Sequence, residues 1–477
     1  MDRNWKSRVE QVAQEDLVMF INACLACTGQ REFYDDAYGQ KVSLDFLHDY
    51  ILGNYRLLYA RSLAAGINHF NQSQIILKLL ATGKETLPEY REEEGALIAA
   101  TLKALPPQRA FKILQQLRQR RINNRRARAI AKEYLASRTE RLAFDAVKYR
   151  SKIRSIAVHI HLKLEGELGL FLFGNWKKSF QTELFEKFRQ GYYSANAIYN
   201  LPFTVAEGLA IKHNIPRDVF LSRIESQMTI TEKLRLQQSG KRVGKEIEVD
   251  FHRLPLTRLA MYVLSLSLQE RQLQYDTWHS ALQQSAFSLL RRSPMRLGRV
   301  AAVLDCSYSS FGSSEKRRRP LGVALAVYYL LSTASKEFHC FWTSPVDNPL
   351  QVIPQGQTNL ATPLLEALSW NPELVVIISD GWENDPPDGA AFVLRLYRTK
   401  LDPTRQTGIV HCNPVFNSDD FSLRAISPLI PTVGLRDAED LPTMLNFARF
   451  AEGSAPLEEL EKYLAAKAQQ MLAESVR

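Results

Sequence analysis

The chain has 477 residues, 61 Lys or Arg against 51 Asp or Glu, and 45% apolar residues. Length alone gives roughly two or three domains, and the composition excludes both a disordered chain and a disulfide-stapled one, because five cysteines make no framework at this length. The charged start Met1-Asp2-Arg3-Asn4-Trp5-Lys6 and the lack of a long unbroken apolar run lead to the expectation of a cytoplasmic protein with no secretory leader, membrane span or membrane partner.

From residue 1 to about 290 the sequence predicts helix after helix. Cys24-x-x-Cys27 falls in the apolar stretch 18–27 with no second Cys or His pair nearby, so it reads as two buried helix cysteines and not as a zinc or redox pair. The runs 75–80 and 96–105 are made of good helix formers, and Gly95 and Pro106-Pro107 fall outside them. The charge, +10 overall, is concentrated in the next stretch: Arg109 to Arg154 carries 15 Lys or Arg against three acids. Within it Arg118, Arg121, Arg125, Arg128 and Lys132 recur at spacings of three and four. They share one face if a single helix runs through Asn123-Asn124. Five cations on one face repel unless an anion neutralises them. RNA or DNA phosphate is the first reading, pairing with acids elsewhere in the fold the second, and an acidic protein partner the third. His159 and His161 alternate with Val158 and Ile160 and read as core or helix-end histidines. The stretch 239–244 reads as a loop, 256–292 as a last helical region, and Ser293-Pro294 as the domain boundary.

After Pro294 short β-rich runs appear at 300–304, 338–342, 374–378 and 408–412, with helical stretches at 321–331 and 390–401 between them. Apolar, β-branched strands alternating with helices predict a parallel sheet covered on both faces. The expected architecture is therefore a helical-repeat domain over 1–293, of stacked pairs like those of HEAT repeats, followed by a doubly wound α/β domain over 294–477. Lys316-Arg317-Arg318-Arg319 is a second cationic cluster, open to a loop or a binding reading.

In a doubly wound sheet, ligands bind beyond the carboxyl ends of the strands. The first strand ends in Asp305-Cys306-Ser307-Tyr308-Ser309 and the third in Ser379-Asp380-Gly381, with Gly356-Gln357-Thr358-Asn359 between them. Asp305, Ser307, Ser309, Thr358 and Asp380 would bring two carboxylates and three hydroxyls to one edge. Such hard oxygens suit Mg²⁺, Mn²⁺ or Ca²⁺ better than zinc. With so few protein charges, one coordination position stays open to an anionic oxygen. The alternative is that these Asp and Ser residues only cap helices. Trp382 follows at once, as a packed ring or a ligand contact. No phosphate-binding glycine loop, zinc-protease motif, nucleophile elbow or acid–base pair is present, so a non-enzyme is expected.

Asp-x-Ser-x-Ser, a Thr after a Gly-containing turn and a strand-end Asp-Gly, in this order, resemble the metal-ion-dependent adhesion site of von Willebrand factor A domains. A helical domain followed by such a domain is similar to the order in the Ro autoantigen, or TROVE, family. The segment 356–364 resembles that family's Gly-Gly-Thr-Asp segment, with Gln357 in place of the second Gly, and 391–401 resembles the helix after its last metal Asp. In the helical half, 126–134 and 146–150 are similar to the stretch that carries RNA contacts, and His161-Leu162-Lys163 to its close. The resemblance implies a ring of stacked helical pairs closed by the A domain, a divalent cation (Mg²⁺ first) at the five oxygen ligands, and a noncoding RNA partner. Together with the cationic face it leads to expected RNA contacts at Arg118, Arg121, Arg125, Arg128, Lys132, Lys148, Arg150, Lys152, Arg154 and His161. The expected protein is a monomeric scaffold for structured or misfolded noncoding RNA in quality control or processing. The alternative is an adaptor whose metal takes a carboxylate from a protein partner.

Overall fold

The computed structural model describes residues 2–242, 249–452 and 455–476. They form two compact units, Gln72–Asp250 with Gln469–Arg477, and Met1–Asn71 with Phe251–Ala468. The first unit is helical and the second carries the sheet, which is the helical-repeat plus α/β architecture expected from the sequence.

In the helical unit, the Pro107–Gln119 helix starts with proline at its first position, where the missing N–H costs nothing. It buries Ala110, Phe111, Ile113, Leu114 and Leu117. The chain then breaks. Arg121 takes a left-handed conformation (φ 59°), and the Asn124 side chain caps the next helix, Arg125–Ala136, by accepting from the Ala127 N–H at 2.9 Å. The expected single stripe from Arg118 to Lys132 is therefore divided: Arg118 lies on one helix, Arg121 in the turn, and Arg125, Arg128 and Lys132 together on the other. The capping side chain that ends the continuity is Asn124 itself. The expected loop at 239–244 is also corrected in part, since the Ile230–Arg242 helix runs through Ser239 to Arg242. Val243 and Gly244 lie outside the described residues.

The second unit contains five parallel strands, β1 (Leu297–Leu304), β2 (Ser335–Trp342), β3 (Leu374–Ile378), β4 (Gly408–Asn413) and β5 (Thr432–Gly434), in the order β2-β1-β3-β4-β5. Four fall on the expected runs; β5, three residues long, was not foreseen. Side chains alternate across the sheet with period two. Ala301, Val303, Val375, Ile377 and Ile409 share one core with Leu364, Leu368, Val393 and Leu394 of the helices Ala361–Ser369 and Gly389–Leu396. The Arg319–Ala334 helix packs on β1 and β2 and against Leu256–Ser265 and Tyr275–Arg292, two helices from the region read as a last helical stretch. Gly322 allows the approach to Leu256–Ser265, since a Cβ there would come within 2.6 Å of Met261 Cγ. At β5 the sheet edge is sealed by the Asp2–Ala26 helix. The Asn22 side chain donates to the Thr432 carbonyl at 3.1 Å and accepts from the Gly434 N–H at 3.1 Å.

Candidate metal centre and basic face

Strand order reverses between β1 and β3, so their outgoing loops diverge and leave a crevice at their carboxyl ends. Asp305 and Asp380 sit there, one residue past β1 and two past β3. The Asp305 N–H donates to the Ile378 carbonyl at 2.9 Å, which extends the strand ladder by one residue and fixes the aspartate. Its Oδ1 accepts from the Ser307 N–H at 2.8 Å and the Thr343 hydroxyl at 3.3 Å, and its Oδ2 from the Ser379 hydroxyl at 3.2 Å. Asp380 Oδ1 accepts from the Trp382 N–H at 3.0 Å. Ser307 and Ser309 hydroxyls lie 3.3 Å apart. Thr358 arrives on a loop bonded to the Asp305–Tyr308 turn, through Tyr308 N–H to the Gly356 carbonyl (3.1 Å) and Gln355 N–H to the Cys306 carbonyl (2.9 Å). Gly381 is required here: its φ is 81°, and a Cβ would sit 2.5 Å from the Arg424 carbonyl oxygen. All five expected ligand residues are buried at this edge.

Burial pushes the Asp305 carboxyl above the usual carboxylate range, and the Ser307, Ser379 and Thr343 hydrogen bonds pull the other way. Asp380 is pushed up first by burial and then by the charge of Asp305; the Ser309 hydroxyl, the Trp382 N–H and Arg424 oppose this. Among the described residues neither carboxylate has an ion-pair partner within 4 Å. Two buried carboxylates without an ion-pair partner among the described residues, ringed by hydroxyls, have the donor set a hard divalent cation needs. Among the described residues no group of three or more His, Cys, Asp or Glu is arranged to hold a metal, so a cation here would depend on the hydroxyls. The residues present fit such an ion: Asp305 and Asp380 for charge, Ser307, Ser309 and Thr358 for neutral oxygens.

The sequence reading missed several supports. Glu383 caps two helices at once, accepting from the Leu360 and Ala361 N–H groups at 2.9 Å each and from Ala390 N–H at 2.7 Å. Asn384 Oδ1 holds the Thr358 N–H at 2.8 Å. His411 lies beneath the edge, its Nε2 at 3.0 Å from the Ser379 carbonyl. A carbonyl only accepts, so Nε2 carries the proton, and burial pushes the ring pKa down to about 4. The Lys316–Arg319 cluster is partly consumed inside the fold: Lys316 pairs with buried Glu32, and Arg319 with Asp437 at 2.6 Å. Cys24 and Cys27 are buried, and burial pushes both thiols up, as expected for packed cysteines.

The basic face belongs to the helical unit. The Pro107–Gln119 and Arg150–His159 helices run side by side in parallel, since their contacts succeed one another in the same order. Lys112 faces Lys152, Arg118 Nη1 donates to Ser155 Oγ at 3.0 Å, and His159 Nε2 donates to the Ile122 carbonyl at 2.8 Å. The Lys152 ammonium is pushed down by burial and then by Lys112 and Arg109. Two cations thus act on a third, and among the described residues none of the three forms an ion pair within 4 Å. Arg125 and Lys132 are exposed and Arg128 half-buried. Arg126, between them, turns inward to pair with buried Glu94 at 2.5 Å. Arg154 lies over Phe173 at 5.5 Å and Lys148 over Phe144 at 5.7 Å, both rings exposed. Arg150 is half-buried with its guanidinium 4.2 Å over the Trp176 ring, so it packs inward. His161 is exposed in a left-handed conformation, two residues past the end of its helix. Arg109 and Lys112 complete the face and were not foreseen as ligands, because the packing that brings them to Lys152 leaves no spacing signal.

Among the described residues no helix is long and apolar enough to cross a membrane. No family model matches the sequence, and no curated protein matches it. Among solved structures the fold is similar to the crystal structure of Deinococcus radiodurans RO (RSR) protein, with 16% identity and a TM-score of 0.49 over 92% of this chain and 100% of that chain.

Proposed function

We propose that this chain is a Ro-like RNA-binding protein, a non-enzymatic scaffold that holds structured or misfolded noncoding RNA through the basic face of its helical unit. The observation that carries this reading is the Lys152 ammonium, on a helix packed beside Pro107–Gln119, with Lys112 and Arg109 acting on it and no ion pair to any of the three among the described residues. Holding like charges together costs free energy in the free protein, and polyanion binding with counterion release offsets it. Arg118, bonded to Ser155 on the same pair of helices, and Arg125, Arg128 and Lys132 on the Arg125–Ala136 helix add further positive charge to the helical unit, and nothing in it calls for base-specific readout. The Asp305/Asp380 edge is a separate device for a divalent cation, Mg²⁺ by the hardness of its ligands. When bound, the ion would supply the positive charge that the buried carboxylate pair lacks.

The test is the absorbance ratio at 260 and 280 nm of protein purified from its host, with sequencing of any RNA released. Enriched structured noncoding RNA, absent from an Arg109→Glu/Lys112→Glu/Lys152→Glu variant that still folds, is the expected outcome. Protein that is free of nucleic acid and ignores added RNA at moderate salt would refute the reading.

A further inference from the structure

Residues 28–36 connect the Asp2–Ala26 and Ala37–Asn54 helices and are fastened to loops at the carboxyl edge of the sheet. Glu32 forms a buried ion pair with Lys316. The Ser313 hydroxyl donates to the Arg31 carbonyl at 2.6 Å, and the Ser418 N–H donates to Asp35 Oδ2 at 2.9 Å. A turn closed from the Glu32 N–H to the Asp35 carbonyl, 2.9 Å, carries Phe33 and Tyr34 between these anchors.

Tyr34 is half exposed and lies at the metal edge, where the Ser309 hydroxyl and the charges of Asp380 and Asp305 act on its phenol. The ring is held in place: Trp382 lies 5.2 Å away, the Arg424 guanidinium sits 3.7 Å over the Trp382 ring, and Arg424 Nε donates to the Gly381 carbonyl at 3.2 Å. Trp382 therefore has a tyrosine and an arginine of its own chain against it.

We propose that Tyr34 closes the metal centre from within the chain, its phenol oxygen taking the position that Asp305, Ser307, Ser309, Thr358 and Asp380 leave open. The proposal rests on the cation reading of that edge. A phenol is a hard neutral oxygen like the serine hydroxyls beside it, and two ionised carboxylates already balance a divalent charge, so a neutral group completes the set without excess charge. The ion then fastens the 28–36 segment to the sheet, and an external carboxylate or phosphate oxygen has to displace Tyr34 before it can bind.

Water-proton relaxation with Mn²⁺ as the probe tests this on the full chain, because it reads how many exchangeable waters the bound ion carries. Tyr34→Phe keeps the ring against Trp382 and removes only the oxygen. The variant is expected to bind Mn²⁺ with raised relaxivity, reporting one added inner-sphere water, which acetate then displaces. The unaltered protein is expected to show low relaxivity that acetate does not change. Equal relaxivity in the two proteins, or an acetate response in the unaltered one, overturns the proposal while leaving the metal reading intact. Failure of the unaltered protein to bind Mn²⁺ at all overturns both.

Discussion

The two charged regions of this molecule treat the same problem in opposite ways. At the sheet edge, two like charges are buried at a strand-order reversal and surrounded by donors fixed by backbone: Asp305 alone accepts three hydrogen bonds. On the helical unit, like charges are left at the surface on long side chains, and the helices beneath them are held by ordinary apolar packing. On the proposed reading the first arrangement would be pre-organised for one small ion, and the second would be adaptable to a long, flexible polyanion. The difference teaches how to sort cations within a single run: Arg126 is spent on buried Glu94, whereas Arg109 and Lys112 act on Lys152.

Breaking the basic face should give the largest effect. The Arg109→Glu/Lys112→Glu/Lys152→Glu variant is expected to lose about a hundredfold or more in RNA affinity and to lower the salt slope by roughly three, read by fluorescence anisotropy over a salt series. Asp305→Asn sharpens the comparison from the other side. It should abolish the rise in melting temperature on adding Mn²⁺ or Mg²⁺, while the RNA salt slope stays as in the unaltered protein. If both properties fell together, the two regions would not be independent.

Within the run, Arg126→Met should cost roughly 3 kcal/mol in chemical denaturation, because it removes the guanidinium from a buried carboxylate. Arg128→Met should change stability by no more than about 0.5 kcal/mol and weaken RNA binding instead. The smallest and most gradual effect is that of pH. Both carboxylates titrate above the ordinary range when folded, so the metal-free native state holds more protons than the unfolded chain from about pH 4 up to the raised range. Its stability therefore falls as pH rises through that window. Divalent cations need the ionised pair, so Mn²⁺ affinity and Mn²⁺-induced stabilisation should grow as pH rises through the same window. Calorimetric titration at several pH values would show this, and a pH-independent affinity would contradict the assignment.

Much of the sheet edge was legible because its chemistry is local in sequence. Asp305, Ser307 and Ser309 lie within five residues of one turn, and β1, β3 and β4 are apolar enough to be read directly. What escaped is held by contacts distant in sequence. Tyr34 stands more than half the chain's length before Ser309, which acts on it, and β5 is too short for a period of two to show. On the basic face, charge count picked out residues 109–154, but helical spacing misassigned their geometry: Asn124 caps a new helix and splits the stripe, and Lys152 joins Arg109 and Lys112 only through helix packing. The change of texture at 293–294 marks where strands begin, whereas the compact unit built around the sheet also draws in Met1–Asn71 and the helices from Leu256 onward.

The central claim, that this chain binds RNA electrostatically through the Arg109/Lys112/Lys152 face, is tested most directly by one measurement. It is the affinity for a structured RNA with a single-stranded end, followed as a function of salt for the unaltered protein and the triple charge-reversal variant. The account predicts a steep linear loss of log affinity with log salt in the first, and weaker binding with a clearly shallower slope in the second. Equal slopes in the two proteins would contradict it.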